Sequence, residues 1–234
     1  GYQVIIEIAW MQISVKSDVK ELQRKLKHAK RQIPFAVKGG LDATAFDVQR
    51  AVKHALPSAL DNPLKYTIKG VQVEKAKKDT LIATVGFAGK GFGRSSGSIP
   101  QAEYMHFMIK GGIRTPRQTS IAVPNPRSGK KVTNKAGNIP RGKIKKLLSD
   151  KDKYFSGAPH QWSKAKEGIW ERMPANSKRK KNRTQKIRMP IAWEPTARYK
   201  KGYFQFEKIV GRTVAKTFRD NFDKAIAKAL KTAR

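Results

Sequence analysis

The densest chemistry in this chain is cationic. Residues 177–188 read SKRKKNRTQKIR, seven basic side chains in twelve positions. Lys178, Arg179, Lys180, Lys181 and Arg183 form the middle of that block, and Lys143, Lys145 and Lys146 make a second cluster upstream. Ammonium and guanidinium groups at this density neutralise phosphates or carboxylates and repel one another. The chemistry they offer is electrostatic docking, on a loop expected to order only against a partner.

Other reactive groupings are weaker. His28, His54, His106 and His160 are widely spaced, and none has a histidine or carboxylate at metal-ligand spacing. Asp150 and Asp152 are flanked by Lys151 and Lys153, so they read as a solvated turn rather than an acid/base pair. The chain has no cysteine, which excludes disulfides, thiolate zinc sites and cysteine catalysis. Gly89, Gly91, Gly93 and Gly97 make the one Gly-rich loop, without the spacing of a P-loop or a dinucleotide fingerprint. It reads as a flexible turn, with phosphate contact through Lys90 and Arg94 as its functional alternative. The expectation is a non-enzyme without metal or cofactor.

The charge balance points the same way. Lys and Arg number 51 against 17 Asp and Glu, a net charge of +34 in 234 residues. Residues 110–188 hold 23 basic and 4 acidic side chains, net +19, more than half of the excess. An ordinary cytosolic enzyme is excluded as the default, and a nucleic acid or an acidic protein surface is expected beside the chain. Apolar residues are 38%, which predicts a modest core and extensive loops. No apolar run approaches the length of a membrane span, and no basic segment of a signal peptide precedes the first one.

Periodicity supplies the elements that must carry these cations. Residues 1–10 read either as a genuine first strand or as sequence upstream of Met11; 11–234 read as a single domain. Ile13–Val15 is a short strand. A helix capped by Ser17 or Asp18 follows, with Val19, Leu22, Leu26 and Ala29 on one face, ending before Pro34. A second helix runs from Phe35 to about Leu60, with Gly39–Gly40 expected to loosen it and Pro57 to bend or end it. Tyr66–Ala76 and Leu81–Ala88 read as a hairpin, and Pro100–Ile109 as a short helix. Pro140 suits the first turn of a helix over 140–149. Short runs at 120–123, 154–156, 168–172 and 187–193 suggest an antiparallel sheet with long excursions. At the end, Phe206, Val210, Val214, Phe218, Phe222, Ile226 and Leu230 recur every four residues. At 3.6 residues per turn that stripe drifts around one long helix. Such a helix either wraps a curved sheet or meets different partners at its two ends. The fold class expected is α+β: an antiparallel sheet packed by N-terminal helices and one long C-terminal helix, with long basic loops.

The common nucleic-acid modules leave no signature here: no zinc-finger spacing, RNP motif or basic zipper. Trp10, Trp162, Trp170 and Trp193 are not interleaved with basic residues, and Trp170 and Trp193 read as sheet or core residues. Any contact with DNA is then expected through its backbone.

Several segments, taken in order, carry a family resemblance. They are QIPFAVKGGLDATAFDVQRAV (32–52), LKYTIKGVQVEKAKKDTLIATVGF (64–87), IAVPNP (121–126), NKAGNIPRGKIKKLL (134–148) and FEKIVGRTVAKTFRDNFDKAIAKAL (206–230). Their order and basicity resemble the minor tail and tail-completion proteins of tailed bacteriophages, the group that includes the lambda-type minor tail protein Z. The resemblance implies a structural virion protein at the tail end or head–tail joint, assembled in the host cytoplasm and acting in a homo-oligomeric ring. Its partners would be neighbouring tail or neck proteins with acidic surfaces, with backbone contact to DNA and none to membrane. A non-sequence-specific nucleic-acid-binding protein of ribosome- or nucleoid-associated type is the alternative.

Overall fold

A computed structural model describes residues 4–9, 12–17, 33–93, 99–116, 119–159, 166–173 and 186–232. The expected helix over about 18–32 lies outside them. The fold is α+β, as the periodicities predict. The chain divides into two compact units, Gly1–Gly111 with Lys200–Arg234, and Gly112–Tyr199, a division that the reading of 11–234 as one domain did not include. The reason lies in the apolar residues, which gather into two separate clusters.

Unit 1 is built on a four-stranded antiparallel sheet. β1 (Val4–Ala9) pairs with β2 (Gln12–Ser17), β2 with β4 (Ile82–Phe87), and β4 with β3 (Val71–Glu74). Residues 4–9 are thus a strand of this sheet. The register sets Ile13 opposite Val85 and Val15 opposite Ala83. The 27-residue helix α1 (Ile33–Ala59) packs against β3 and β4. Its inward stripe of Ile33, Val37, Leu41, Ala45, Val48, Val52 and Leu56 is buried with Ala83, Val85 and Phe87 of β4. Pro57 lies in the last turn, where the helix ends two residues later.

Residues 66–69, read from sequence as part of a strand, lie instead in a short helix, α2 (Lys65–Lys69). Gly70 closes it by donating its N–H to the carbonyls of Tyr66 and Thr67. The Tyr66 hydroxyl donates to the Ile99 carbonyl, and Thr67 and Tyr104 share a hydroxyl hydrogen bond of 3.0 Å. These contacts tie the turn to α3 (Gln101–Lys110).

Helix α4 (Lys143–Ser149) belongs to unit 2, and the last helix, α5, spans Phe206–Thr232. Its four-residue stripe resolves the two readings of the sequence. The rotation takes it to different elements of the same unit. At its start Phe206 meets Phe87 of β4, ring centroids 5.7 Å apart. Further along, it lies antiparallel on α1, where Gly40 faces the Phe222 backbone and Gly39 faces Ala225. A Cβ on Gly40 would sit 3.0 Å from the Phe222 Cα. The glycine pair expected to loosen α1 therefore sits where the two helices pack closely, with little room for a side chain at Gly40.

The chain leaves unit 1 at Gly111 and returns at Lys200. Gly111 has φ 73° and lies against the Lys201 backbone, so both its conformation and its space require glycine. Gly202 and Phe204 donate N–H groups to the carbonyls of Ile109 and Met108, completing the end of α3.

Unit 2 begins and ends in a two-stranded ribbon, β5 (Gly112–Arg114) with β10 (Ala197–Tyr199). Between them stands an antiparallel sheet in the order β6-β9-β8-β7, made of Ile121–Pro124, Ile187–Glu194, Gly168–Arg172 and Tyr154–Gly157. These are the four short runs read from sequence. The core is small: Val132, Leu147, Ile169 and Ile191. Trp170 and Trp193 are half-buried strand residues whose indole N–H groups donate to the Gly157 carbonyl and the Ser156 hydroxyl. Helix α4 covers Lys143–Ser149 rather than 140–149. Gly142, at φ 77°, stands in the left-handed region just before it, so the helix begins only after that residue.

Candidate functional site

Unit 2 holds 23 Lys and Arg against 5 Asp and Glu, net +18 over 88 residues. The core explains how these cations are presented. On α4, Ile144, Leu147 and Leu148 recur at helical spacing and pack with Val132, Ile169 and Ile191. The opposite face leaves Lys145 and Lys146 exposed, with Lys143 half-exposed. Of the eight basic residues singled out from sequence, these three are brought together on one helix. Lys178, Arg179, Lys180, Lys181 and Arg183 lie outside the described residues. Phe206, Val210, Val214 and Phe222 are buried, while Phe218 is half-buried and stacked on Phe222 at 5.8 Å.

Five further cations flank α4: Arg127, Lys130, Lys131, Lys135 and Arg141, all exposed. Their loops are held by short-range polar contacts. Asn134 Oδ1 accepts from the N–H groups of Ala136 and Asn138, both at 3.0 Å. Asn125 Oδ1 accepts from the Arg127 N–H, and its own N–H donates to the Pro190 carbonyl. The Ser128 hydroxyl donates to the Met189 carbonyl. Asx turns of this kind fix a loop without a hydrophobic core beneath it. None of the five cations forms an ion pair with a described carboxylate. The signal that finds them was in the sequence, since asparagines and glycines punctuate the segment that holds them.

Beside α4 lies an open cavity of about 400 Å³, lined by Ala122, Pro124, Ile139, Pro140, Arg141 and Ile144 among others. Of the cations named above, Arg141 lines this cavity, among apolar side chains.

Not all the charge of unit 2 is available. Arg188 closes the basic block in sequence, yet it sits on β9 with its guanidinium on Glu171 of β8. Register places Tyr154, Glu171 and Arg188 side by side on three adjacent strands. Lys153 reaches the second Glu171 oxygen at 3.6 Å. Burial alone would raise the Glu171 carboxyl. The Arg188 hydrogen bond and charge, with Lys153 and the Tyr154 hydroxyl, outweigh it and hold the group below its ordinary value. The Tyr154 phenol is raised by burial and by the Glu171 charge. This trio is a neutralising node inside the sheet, and no pairing signal in the linear sequence joined residues this far apart.

The remaining sequence candidates are dispersed. His54 is exposed, and His106 is half-buried with its ring edge-on to Phe107. His28, His160 and Arg94 lie outside the described residues. Lys90 is exposed on the turn closed by the Gly89–Phe92 bridge. Among the described residues, no group of three His, Cys, Asp or Glu gathers to hold a metal ion. No described helix is long and apolar enough to cross a membrane. Compared with known proteins, the chain matches no family model, no curated protein and no solved structure.

Proposed function

We propose that the chain is a structural virion protein of a tailed bacteriophage, completing the tail or joining it to the head as a subunit of an oligomeric ring. Unit 2 is its docking part, and the partner is a neighbouring tail or neck protein with an acidic face. One observation carries this reading: the eight cations of α4 and its flanking loops form no ion pair with a described carboxylate, and one of them, Arg141, lines a cavity bordered by apolar side chains. Protein interfaces combine an apolar centre with a polar rim, and charge complementarity sets register and speeds encounter. The element order and basicity shared with phage tail-completion proteins support the particular setting.

The test is electron microscopy of particles made with the gene disrupted. Filled heads beside detached or malformed tails are expected. Intact, infectious particles would reject the role. Complementation with Arg141→Glu, Lys145→Glu and Lys146→Glu combined then reports on unit 2, and assembly at the parental level would remove it from the docking surface.

A further inference from the structure

The apolar stripe of α5 has a counterpart on its outer side. Lys208, Arg212, Lys216 and Arg219 stand at i, i+4, i+8 and i+11, and all are exposed. At 100° per residue they fall within an arc of about 80° and span about 16 Å of helix. They are held there by the opposite face, where Phe206, Val210 and Val214 are buried in the core of unit 1. None of the four pairs with a described carboxylate. At the start of the helix, an open cavity of about 630 Å³ is lined by Lys208 together with Lys110 and Lys201, and by one carboxylate, Glu207. The row of cations thus continues past the helix end.

What this face lacks decides its partner. Between Lys208 and Arg219 no other residue falls on that arc; Ala215 and Ile209 flank it about 20° to either side, and Ile209 is half-buried against the core. A protein partner needs an apolar centre to bury, and the arc itself offers none; the apolar residues of the adjoining cavity, Ile109, Phe204 and Phe206, are buried in the core. Single-stranded nucleic acid is gripped by stacking on aromatics, and none is present on the arc. A row of rigidly spaced cations matches a polyanion whose contacts are wholly electrostatic. Duplex DNA presents one phosphate per about 1.7 Å of axis, so about 16 Å of helix faces several at once. We propose that this face of α5 binds the phosphate backbone of duplex DNA without reading its sequence. The site lies on unit 1 and does not rest on the docking role given to unit 2, so either can fail without the other.

The experiment is fluorescence anisotropy of the full-length protein with a labelled duplex of about 30 base pairs, titrated at several salt concentrations. Two variants are compared, each losing four charges: Lys208→Gln, Arg212→Gln, Lys216→Gln and Arg219→Gln on α5, and Lys130→Gln, Lys131→Gln, Lys145→Gln and Lys146→Gln on unit 2. The α5 variant is expected to bind at least about tenfold more weakly near physiological salt. Its log–log salt slope should be shallower by up to about 3.6, since each lost phosphate contact removes about 0.9. The unit 2 variant should keep most of the affinity. Equal losses in both variants, or none in the α5 variant, would overturn the proposal. A second readout needs no variant: amine acetylation of the parent protein, followed by mass spectrometry. Duplex should shield Lys208 and Lys216 while Lys130 and Lys145 stay reactive. Shielding by polyglutamate but not by duplex would assign the face to an acidic protein instead. Binding of a single strand as tight as duplex would overturn the choice of duplex.

Discussion

The two units carry positive charge in opposite ways. In unit 1 the cations of α5 stand on the outer face of a helix whose inner face packs into a core that holds nineteen of the described residues. Their positions are set by packing, and the row is as stiff as the helix. In unit 2 four of the described residues form the buried core, and Arg127, Lys130, Lys131 and Lys135 ride on loops held by asparagine and serine contacts. Part of that charge is also cancelled internally at Glu171. A regular, purely ionic row suits a uniform polyanion. An irregular cluster that reaches an apolar-lined cavity at Arg141 suits one particular protein surface. Excess charge alone does not distinguish these partners; the element beneath it does.

The largest expected effect tests the packing beneath the α5 row. Phe222, 6% exposed, lies against Gly40, so Phe222→Ala should cost about 3–5 kcal/mol in urea unfolding. Phe218→Ala should cost less than half of that, because Phe218 is only partly buried. Equal losses would mean that the stripe is no deeper at one position than the other.

Next comes the ionic node of unit 2. Glu171→Gln should destabilise this unit by about 1–3 kcal/mol, since Arg188 and Lys153 lose their shared anion. Hydrogen exchange should quicken in Tyr154–Gly157 and Gly168–Arg172 rather than in Ile82–Phe87. The acid dependence has a defined sign. The folded carboxyl is held below its ordinary value, so its contribution is full above the usual glutamate range. It fades as pH falls through that range toward the lowered value. Glu171→Gln should abolish that segment of the stability–pH curve, read by thermal melting between about pH 2 and pH 6.

A smaller contrast lies between two helical glycines. A Cβ at Gly211 meets nothing within 4 Å, so Gly211→Ala should stabilise α5 by up to about 1 kcal/mol. At Gly40 the same change gains the same propensity but presses on the Phe222 backbone. Gly40→Ala should therefore give no gain, and Gly40→Val a loss of about 1–3 kcal/mol. The smallest effect belongs to the surface. Breaking the exposed Lys166–Glu194 pair by Lys166→Ala should change stability by about 0.5 kcal/mol or less.

Local periodicity determined much of the molecule. The four-residue spacing from Phe206 onward and the apolar stripe of 33–56 dictate the two long helices, because each has one face that must leave water. The alternation in Leu81–Phe87 and the four short runs of unit 2 likewise mark strands. The row at Lys208, Arg212 and Lys216 was legible by the same rule, offset by two residues from the stripe.

Tertiary structure decided what no single segment states. Tyr66–Lys69 has strand-like residues, yet contacts with Ile99 and Tyr104 close it into a helix. Gly39–Gly40 weakens a helix taken alone and becomes a place where two helices pack closely. The division into two units rests on which apolar residues meet across long stretches of chain. That the Arg188 charge is taken up inside the sheet was decided by strand register, which sets Glu171 beside it. Periodicity is local and survives in the linear chain. Register, close approach and charge pairing depend on residues far apart in sequence, and only the folded core brings them within reach.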